Sequence, residues 1–115
     1  MKEYREDKHN FYNAEKVPPQ VAEKLMTGYP NVNPEERHND SPKMKDMVML
    51  AKKYRGSLEG YVVPVESGRP DARITFDGIV LPVSMSTARK LADTFALSKP
   101  DEIDKVEGGI RIWWD

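Results

Sequence analysis

A short polar cluster, Arg69, Asp71 and Arg73, has the residue types and spacing best suited to chemistry in this chain. Its two guanidinium groups could bind a carboxylate or phosphate, because an arginine fork donates two parallel hydrogen bonds to either group. The alternative is that Asp71 pairs with Arg73 and only fixes the turn before a strand. Charges at the start of a strand are usually solvated, so the structural alternative is favoured. The three residues are still the best binding site that polar side chains offer here.

Two adjacent tryptophans, Trp113 and Trp114, lie near the end of the chain. Neighbouring residues of a strand point to opposite faces of a sheet, so only one of the two can enter a given core. The other could anchor a protein interface, where tryptophan is enriched, or cover the second face of the sheet within the same chain. Both tryptophans are therefore predicted as candidate binding residues. For the one outside the core, a protein interface and cover of the sheet within the chain carry equal weight.

Five cationic side chains are concentrated around one predicted helix: Lys43, Lys45, Lys52, Lys53 and Arg55. With the nearby rings of Tyr54 and Tyr61 they could bind nucleic acid, through lysine on phosphates and aromatic rings on bases. The net charge of −1 argues against this function, since nucleic-acid binders usually carry a basic surplus. A solvated helix face is the favoured interpretation, and nucleic-acid binding is the alternative.

Residue types that support catalysis are scarce. The chain has two histidines and no cysteine, which excludes disulfides, thiolate metal sites and a cysteine nucleophile. His38 is surrounded in sequence by three carboxylates, those of Glu35, Glu36 and Asp40. Their spacing matches no established zinc or calcium loop, so a solvated linker is favoured over a metal site. We predict no catalytic residue and no cofactor; an enzyme that acts on a small ligand or uses a metal remains the further alternative.

Length and composition are typical of one small domain. The chain has 115 residues with 38% hydrophobic content, below the roughly 45–50% of average globular proteins. Residues 1–8 are highly charged and lack the apolar core of a signal peptide, and no apolar run approaches the roughly 18 residues of a membrane span. The chain is therefore predicted to be cytoplasmic and not to enter a membrane.

The elements that must position these residues begin with the Asp77-Gly78 pair, which separates two β-rich runs, 73–76 and 79–81. Both residues tolerate the positive φ of a type I′ turn, so a tight β-hairpin is predicted. The run 58–65 is predicted as a strand that lies at a sheet edge or ends early, because Pro64 cannot donate a ladder hydrogen bond. The final strand, 109–114, is expected to follow a turn at Gly108-Gly109.

Two amphipathic helices complete the predicted core. The first covers 43–54, with Ser41 as its N-cap and Pro42 as its first residue. The second covers 85–97 and is capped by Ser84 or Ser86.

The remaining segments are predicted to be less regular. Residues 101–104 are expected to form one helical turn. Residues 1–41 are interpreted as a polar, proline-rich and partly flexible N-terminal arm with a short helix at 19–27. Residues 42–115 then form an α+β core domain, with a mixed or antiparallel sheet of about four strands and two helices on one side.

The leading functional hypothesis is a small non-enzymatic binding protein that contacts another macromolecule, with a protein as the expected partner. Its basis is the surplus tryptophan and an arm that could become ordered on contact. Accessory or inhibitor proteins of phages and mobile elements have this size and build. A homodimer through an open sheet edge is a further expectation, because prolines flank the predicted strands.

Overall fold

The computed structural model describes residues 3–6, 12–28, 32–63 and 73–114. This part of the chain forms six strands: β1 (Glu3–Glu6), β2 (Tyr12–Val17), β3 (Ser57–Val63), β4 (Arg73–Leu81), β5 (Glu102–Val106) and β6 (Gly109–Trp113). It also forms three helices: α1 (Pro19–Gly28), α2 (Met44–Tyr54) and α3 (Met85–Phe95).

All six strands belong to one antiparallel sheet with the order β1-β2-β3-β4-β6-β5. The predicted α+β class is therefore confirmed, although the sheet has more strands than the expected four. Two of the additional strands, β1 and β2, come from the region interpreted as a polar arm. The short helix predicted there is correct, since α1 covers Pro19–Gly28.

The hydrophobic core lies between one face of the sheet and the three helices. Leu58, Ile79 and Ile112 are directly opposite one another on β3, β4 and β6, and each is 1% exposed. The helices contribute Ala22, Met47 and Ala88 to the same cluster. On β6 the alternation of strand residues between faces is regular, with Ile110 and Ile112 buried and Arg111 and Trp113 half-buried.

The helix that follows Ser41 begins slightly later than predicted. Lys43 is the N-cap of α2 and makes no side-chain capping hydrogen bond, whereas Ser41 and Pro42 are buried before the helix. The Ser41 hydroxyl accepts a hydrogen bond from the His38 N–H and donates one to the Pro42 carbonyl, so it fixes the preceding loop instead. For α3 the predicted cap is confirmed, since Ser84 accepts from the Thr87 N–H.

The predicted hairpin at Asp77-Gly78 is wrong, because β4 continues through both residues. A type I′ turn needs positive φ at its two central residues, and neither residue has it. Glu59 is opposite Gly78 while Gly60 is opposite Phe76, so Asp77 is the extra residue of a β-bulge. The Phe76 N–H donates to the Met44 sulfur at 3.5 Å, which connects the bulge to α2.

The tight hairpin is instead formed by β5 and β6, with Glu107 and Gly108 in the turn between Val106 and Gly109. Gly108 and Gly109 both have positive φ, at 93° and 137°. The turn predicted at these glycines is therefore confirmed, but the helical turn predicted at 101–104 is wrong. Residues 102–104 belong to β5, because the glycine turn returns β6 alongside them.

Of the two outcomes predicted for the 58–65 strand, the edge position is wrong, whereas the early end agrees with β3, which ends at Val63. β3 lies inside the sheet, between β2 and β4. Its pairing with β4 ends at Val63, before Pro64, which lies outside the described residues. The described ladder of β3 therefore contains no proline, and β3 can pair on both sides.

Candidate interaction face

The second face of the sheet, which we call the open face, carries none of the described helices. Its described side chains include Glu59, Tyr61, Val80, Glu102, Asp104, Arg111 and Trp113. None of these side chains belongs to the hydrophobic core that the helices cover. The open face therefore combines two large aromatic rings with one guanidinium group and three carboxylates.

Arg111 holds the centre of the open face together. Its Nη2 and Nε atoms lie 2.6 and 2.8 Å from Glu59 Oε1, and its Nη1 atom lies 3.4 Å from Glu102 Oε2. Its guanidinium carbon also lies over the Trp113 ring, 5.4 Å from the ring centroid. The hydrogen bond to Glu59, which is the strongest influence, raises the pKa of Arg111. A positive charge is thus fixed in place beside an aromatic ring.

Gly78 makes this arrangement possible, because it lies on β4 directly between Glu59 on β3 and Trp113 on β6. A Cβ atom at Gly78 would lie 2.6 Å from both the Cγ and Oε1 atoms of Glu59. The missing side chain therefore leaves the space through which Glu59 reaches across the central strand to Arg111. The Asp-Gly pair carries structural information, but the glycine provides space rather than a turn.

Asp77 lies beside this group at the bulge. Burial raises the pKa of its carboxyl group, while a hydrogen bond from the Trp113 side chain and the nearby His38 act in the opposite direction. The indole of tryptophan has only a donor, so Trp113 donates to the carboxylate. The indole of Trp113 therefore lies beside the Asp77 carboxyl group.

The loop before α2 places His38 next to the same group. The ring of His38 meets that of Tyr61 edge-on, with 6.1 Å between the centroids. Arg37 secures this loop, since its Nη1 atom donates to the carbonyl oxygens of Ser41 and Phe95 at 3.1 and 2.8 Å. His38, predicted to lie in a solvated linker, is therefore half-buried and held at the margin of the open face.

We expect Asp77→Asn to increase stability more at pH 7 than at pH 3. The raised pKa of Asp77 means that the folded chain binds this proton more tightly than the unfolded chain, whose reference pKa is 3.8. The protonated carboxyl group therefore contributes fully to folding stability at pH values below 3.8. This contribution is lost as the pH rises through the pKa of the folded chain. Asparagine stays uncharged and can still accept from Trp113. Thermal unfolding of both chains at the two pH values measures the difference, and an equal gain at both would contradict it.

The predicted arginine cluster is only partly described. Arg69 and Asp71 lie outside the described residues, and Arg73 is described only as the first backbone position of β4. Its binding role stays a prediction.

The tryptophan pair separates between the two faces of the sheet, as the alternation predicts. Trp114 is 1% exposed and belongs to the core, where its Nε1–H donates to the Ser98 carbonyl at 3.1 Å. Trp113 is half-buried on the open face. The binding role predicted for Trp114 is therefore corrected to a core role, whereas the binding role of Trp113 stays a prediction.

The basic helix is partly neutralised by carboxylates from neighbouring segments. Lys43 and Lys45 both pair with Glu35, and Lys52 pairs with Glu23 at 3.1 Å. The Lys45 hydrogen bond and then that of Lys43 lower the pKa of Glu35 to about 2. Lys53 lies 5.5 Å from the centroid of the Tyr54 ring, and Arg55 is the left-handed C-cap of α2. These pairs reduce the positive charge that the helix offers to phosphate groups.

The nucleic-acid alternative needs Tyr61 beside the basic helix, but Tyr61 lies on the open face, whereas α2 packs on the other face of the sheet. A shallow cavity of about 400 Å³ does lie along α2, lined by Glu23, Lys45, Val48, Met49, Lys52 and Lys53.

Within the described ranges, no three histidine or acidic side chains are grouped to hold a metal ion. The described helices are also too short or too polar to cross a membrane.

Comparison of the chain with protein-family models, with curated proteins and with solved structures found no match. The fold and site define an α+β protein with an antiparallel sheet, helices on one face and a charged, aromatic second face.

Arg111 and Glu59 were not identified as site residues from the sequence. They are 52 residues apart, and only the strand order places them two strands from each other. One signal was present: Arg111 lies between Ile110 and Ile112 in an alternating strand. That alternation puts Arg111 on the face opposite the core, next to Trp113 along the same strand.

Proposed function

We propose that this chain is a non-enzymatic binding protein that contacts a partner protein through its open face. The observation that supports this most is the cation–π pair of Arg111 and Trp113, in which Glu59 and Glu102 hold the guanidinium group over the ring. Tryptophan and arginine are the residue types most enriched among those that dominate binding energy at protein interfaces. Their fixed orientation lowers the entropy cost of forming such an interface.

The composition of the open face agrees with an interface centre and its rim. The rings of Tyr61 and Trp113 and the side chain of Val80 are half-buried, whereas Glu102 and Asp104 are exposed at the margin. Protein interfaces commonly have this arrangement, with aromatic residues at the centre and charged residues outside. The role of a phage or mobile-element accessory protein stays a prediction from size and composition.

The test compares the wild-type chain, Trp113→Ala and a control, Leu97→Ala, as bait in lysate of the source cell. Leu97 is 69% exposed and lies in the segment after α3. Its replacement also removes an apolar side chain from the surface, but away from the open face. Each protein that the wild-type chain captures is then purified and its dissociation constant measured. Trp113→Ala should raise this constant about 30-fold, and Leu97→Ala should leave it unchanged. Thermal unfolding of each variant checks that it is folded.

A second measurement does not depend on a variant. Hydroxyl-radical oxidation of Trp113 in the wild-type chain should fall when the partner is bound, with buried Trp114 as an internal reference. Unchanged affinity of Trp113→Ala together with unchanged oxidation of Trp113 would overturn the proposal. Capture of nucleic acid alone, with an affinity that falls steeply with salt, would favour the basic-helix alternative instead.

A further inference from the structure

Strand β5 ends the sheet on the side next to β6, and no described strand pairs with its outer side. All of its residues are exposed except Ile103, which is partly buried against the core. An edge strand leaves backbone N–H and C=O groups of alternate residues unpaired, and these groups can bind another extended chain. The β5 edge is therefore a backbone binding surface next to the open face.

The side chains on and beside β5 give this edge a marked negative charge. The strand and its two flanking residues read Asp101-Glu102-Ile103-Asp104-Lys105-Val106-Glu107, with four carboxylates and one lysine. Glu102 and Asp104 lie on the open face, opposite Trp113 and Arg111, while Lys105 points to the other side. Glu102 contacts Arg111, with 3.4 Å between Oε2 and Nη1.

A second copy of this chain is a poor occupant of the edge. In a symmetric antiparallel dimer the two-fold axis is perpendicular to the sheet, so opposite residues share a face and their pairing is reciprocal. If the two-fold axis passes beside Ile103, Glu102 of one copy lies opposite Asp104 of the other. If the axis passes beside Asp104 or Lys105, that residue lies opposite the same residue of the other copy. Each register that overlaps three or more residues of β5 therefore places like charges directly opposite, which is destabilising.

We propose that β5 binds an extended, basic segment of a partner protein by strand addition. This inference rests on the proposed function, because it specifies how the same partner reaches the edge of the open face. In the favourable register, Lys or Arg at alternate positions of the segment lies opposite Glu102 and Asp104. An apolar residue lies opposite Ile103. Backbone hydrogen bonds hold the segment, and the cross-strand charge pairs select its sequence.

The test titrates the full chain with a synthetic peptide in which lysine alternates with valine, followed by two modified peptides. One has glutamate in place of lysine, and the other is methylated on the backbone nitrogens of alternate residues. Shifts of backbone amide NMR signals should locate the lysine peptide at Glu102–Val106. The glutamate peptide should not bind. The methylated peptide keeps its charges but cannot form the ladder, so its affinity should fall about tenfold or more.

A charge reversal in the chain gives the matching control. Asp104→Lys should weaken binding of the lysine peptide about fivefold, and Asp93→Lys, the same change at an exposed position of α3, should have little effect. Equal binding of the methylated and unmethylated peptides would overturn the proposal, because the attraction would then be only electrostatic. Signal shifts spread away from β5, or a wild-type dimer in sedimentation, would also contradict it.

The outcomes for the natural partner separate the two proposals. If Trp113→Ala weakens binding of the partner and Asp104→Lys does not, the open face is the interface and strand addition at β5 is wrong. If neither variant weakens binding, the proposed function itself fails.

Discussion

Replacing Trp114 with alanine is expected to lower the free energy of unfolding by about 3–5 kcal/mol. Trp114 is the largest of the fully buried side chains described, at 1% exposure. Its removal would leave a cavity in the hydrophobic core and would release the Ser98 carbonyl from its hydrogen bond with the indole. Urea unfolding followed by circular dichroism measures the loss, which is large for a chain of this length.

Two neighbouring variants separate burial from the hydrogen bond. Trp114→Phe keeps most of the ring volume but loses the indole N–H, so it should cost clearly less than Trp114→Ala. Trp113→Phe changes the adjacent ring on the open face and should cost less again. A loss below about 1 kcal/mol for Trp114→Ala would contradict the core position, since deletion of a large buried ring does not cost so little.

Alternation is the part of the fold that the sequence predicts well. Ile110, Ile112 and Trp114 share the buried face of the final strand, as the period of two requires. The two amphipathic helices are correct for the related reason that their apolar residues recur with the helical period. Met44, Met47, Val48 and Ala51 are all buried on α2. Patterns with a fixed period report which side faces the core.

Pairing partners are the part that could not be predicted. β2 has the sequence Tyr12-Asn13-Ala14-Glu15-Lys16-Val17, whose polar residues gave no reason to expect a strand. It forms because β3 offers backbone groups on its free side, and that neighbour is about 45 positions away in the chain. Local propensity is easily outweighed by such pairing, since strand preference depends strongly on context.

The Asp77-Gly78 pair shows how one local pattern can have two physical explanations. Aspartate and glycine tolerate the backbone geometry of a hairpin turn, but glycine also provides space where a neighbouring side chain must cross a strand. The sequence favours the first explanation, and the position of Glu59 establishes the second. The candidate site depends on the contact between Arg111 and Glu59. The sequence does not show this contact, because the two residues come together only through the order of the strands.

Gly60 on β3 is the other glycine on which the bulge depends, and Gly60→Ala is expected to cost about 3 kcal/mol. A Cβ atom there would overlap the Thr75 carbonyl oxygen and lie 2.9 Å from the Phe76 Cα atom. Both contacts are with the backbone of β4, so no side-chain rotation can relieve them. The strands would have to separate at the bulge.

Gly28→Ala is the matched control, because nothing lies within 4 Å of its added Cβ atom. It should leave the free energy of unfolding nearly unchanged, and urea unfolding of both variants measures the contrast. An effect of Gly60→Ala as small as that of Gly28→Ala would show that β3 and β4 are not as close as described. Because Glu59 precedes Gly60, separation of the strands should also move its carboxylate away from Arg111. The NMR signal of the Arg111 Nε–H should therefore shift in Gly60→Ala and not in Gly28→Ala, which links the geometry of the bulge to the orientation of the open face.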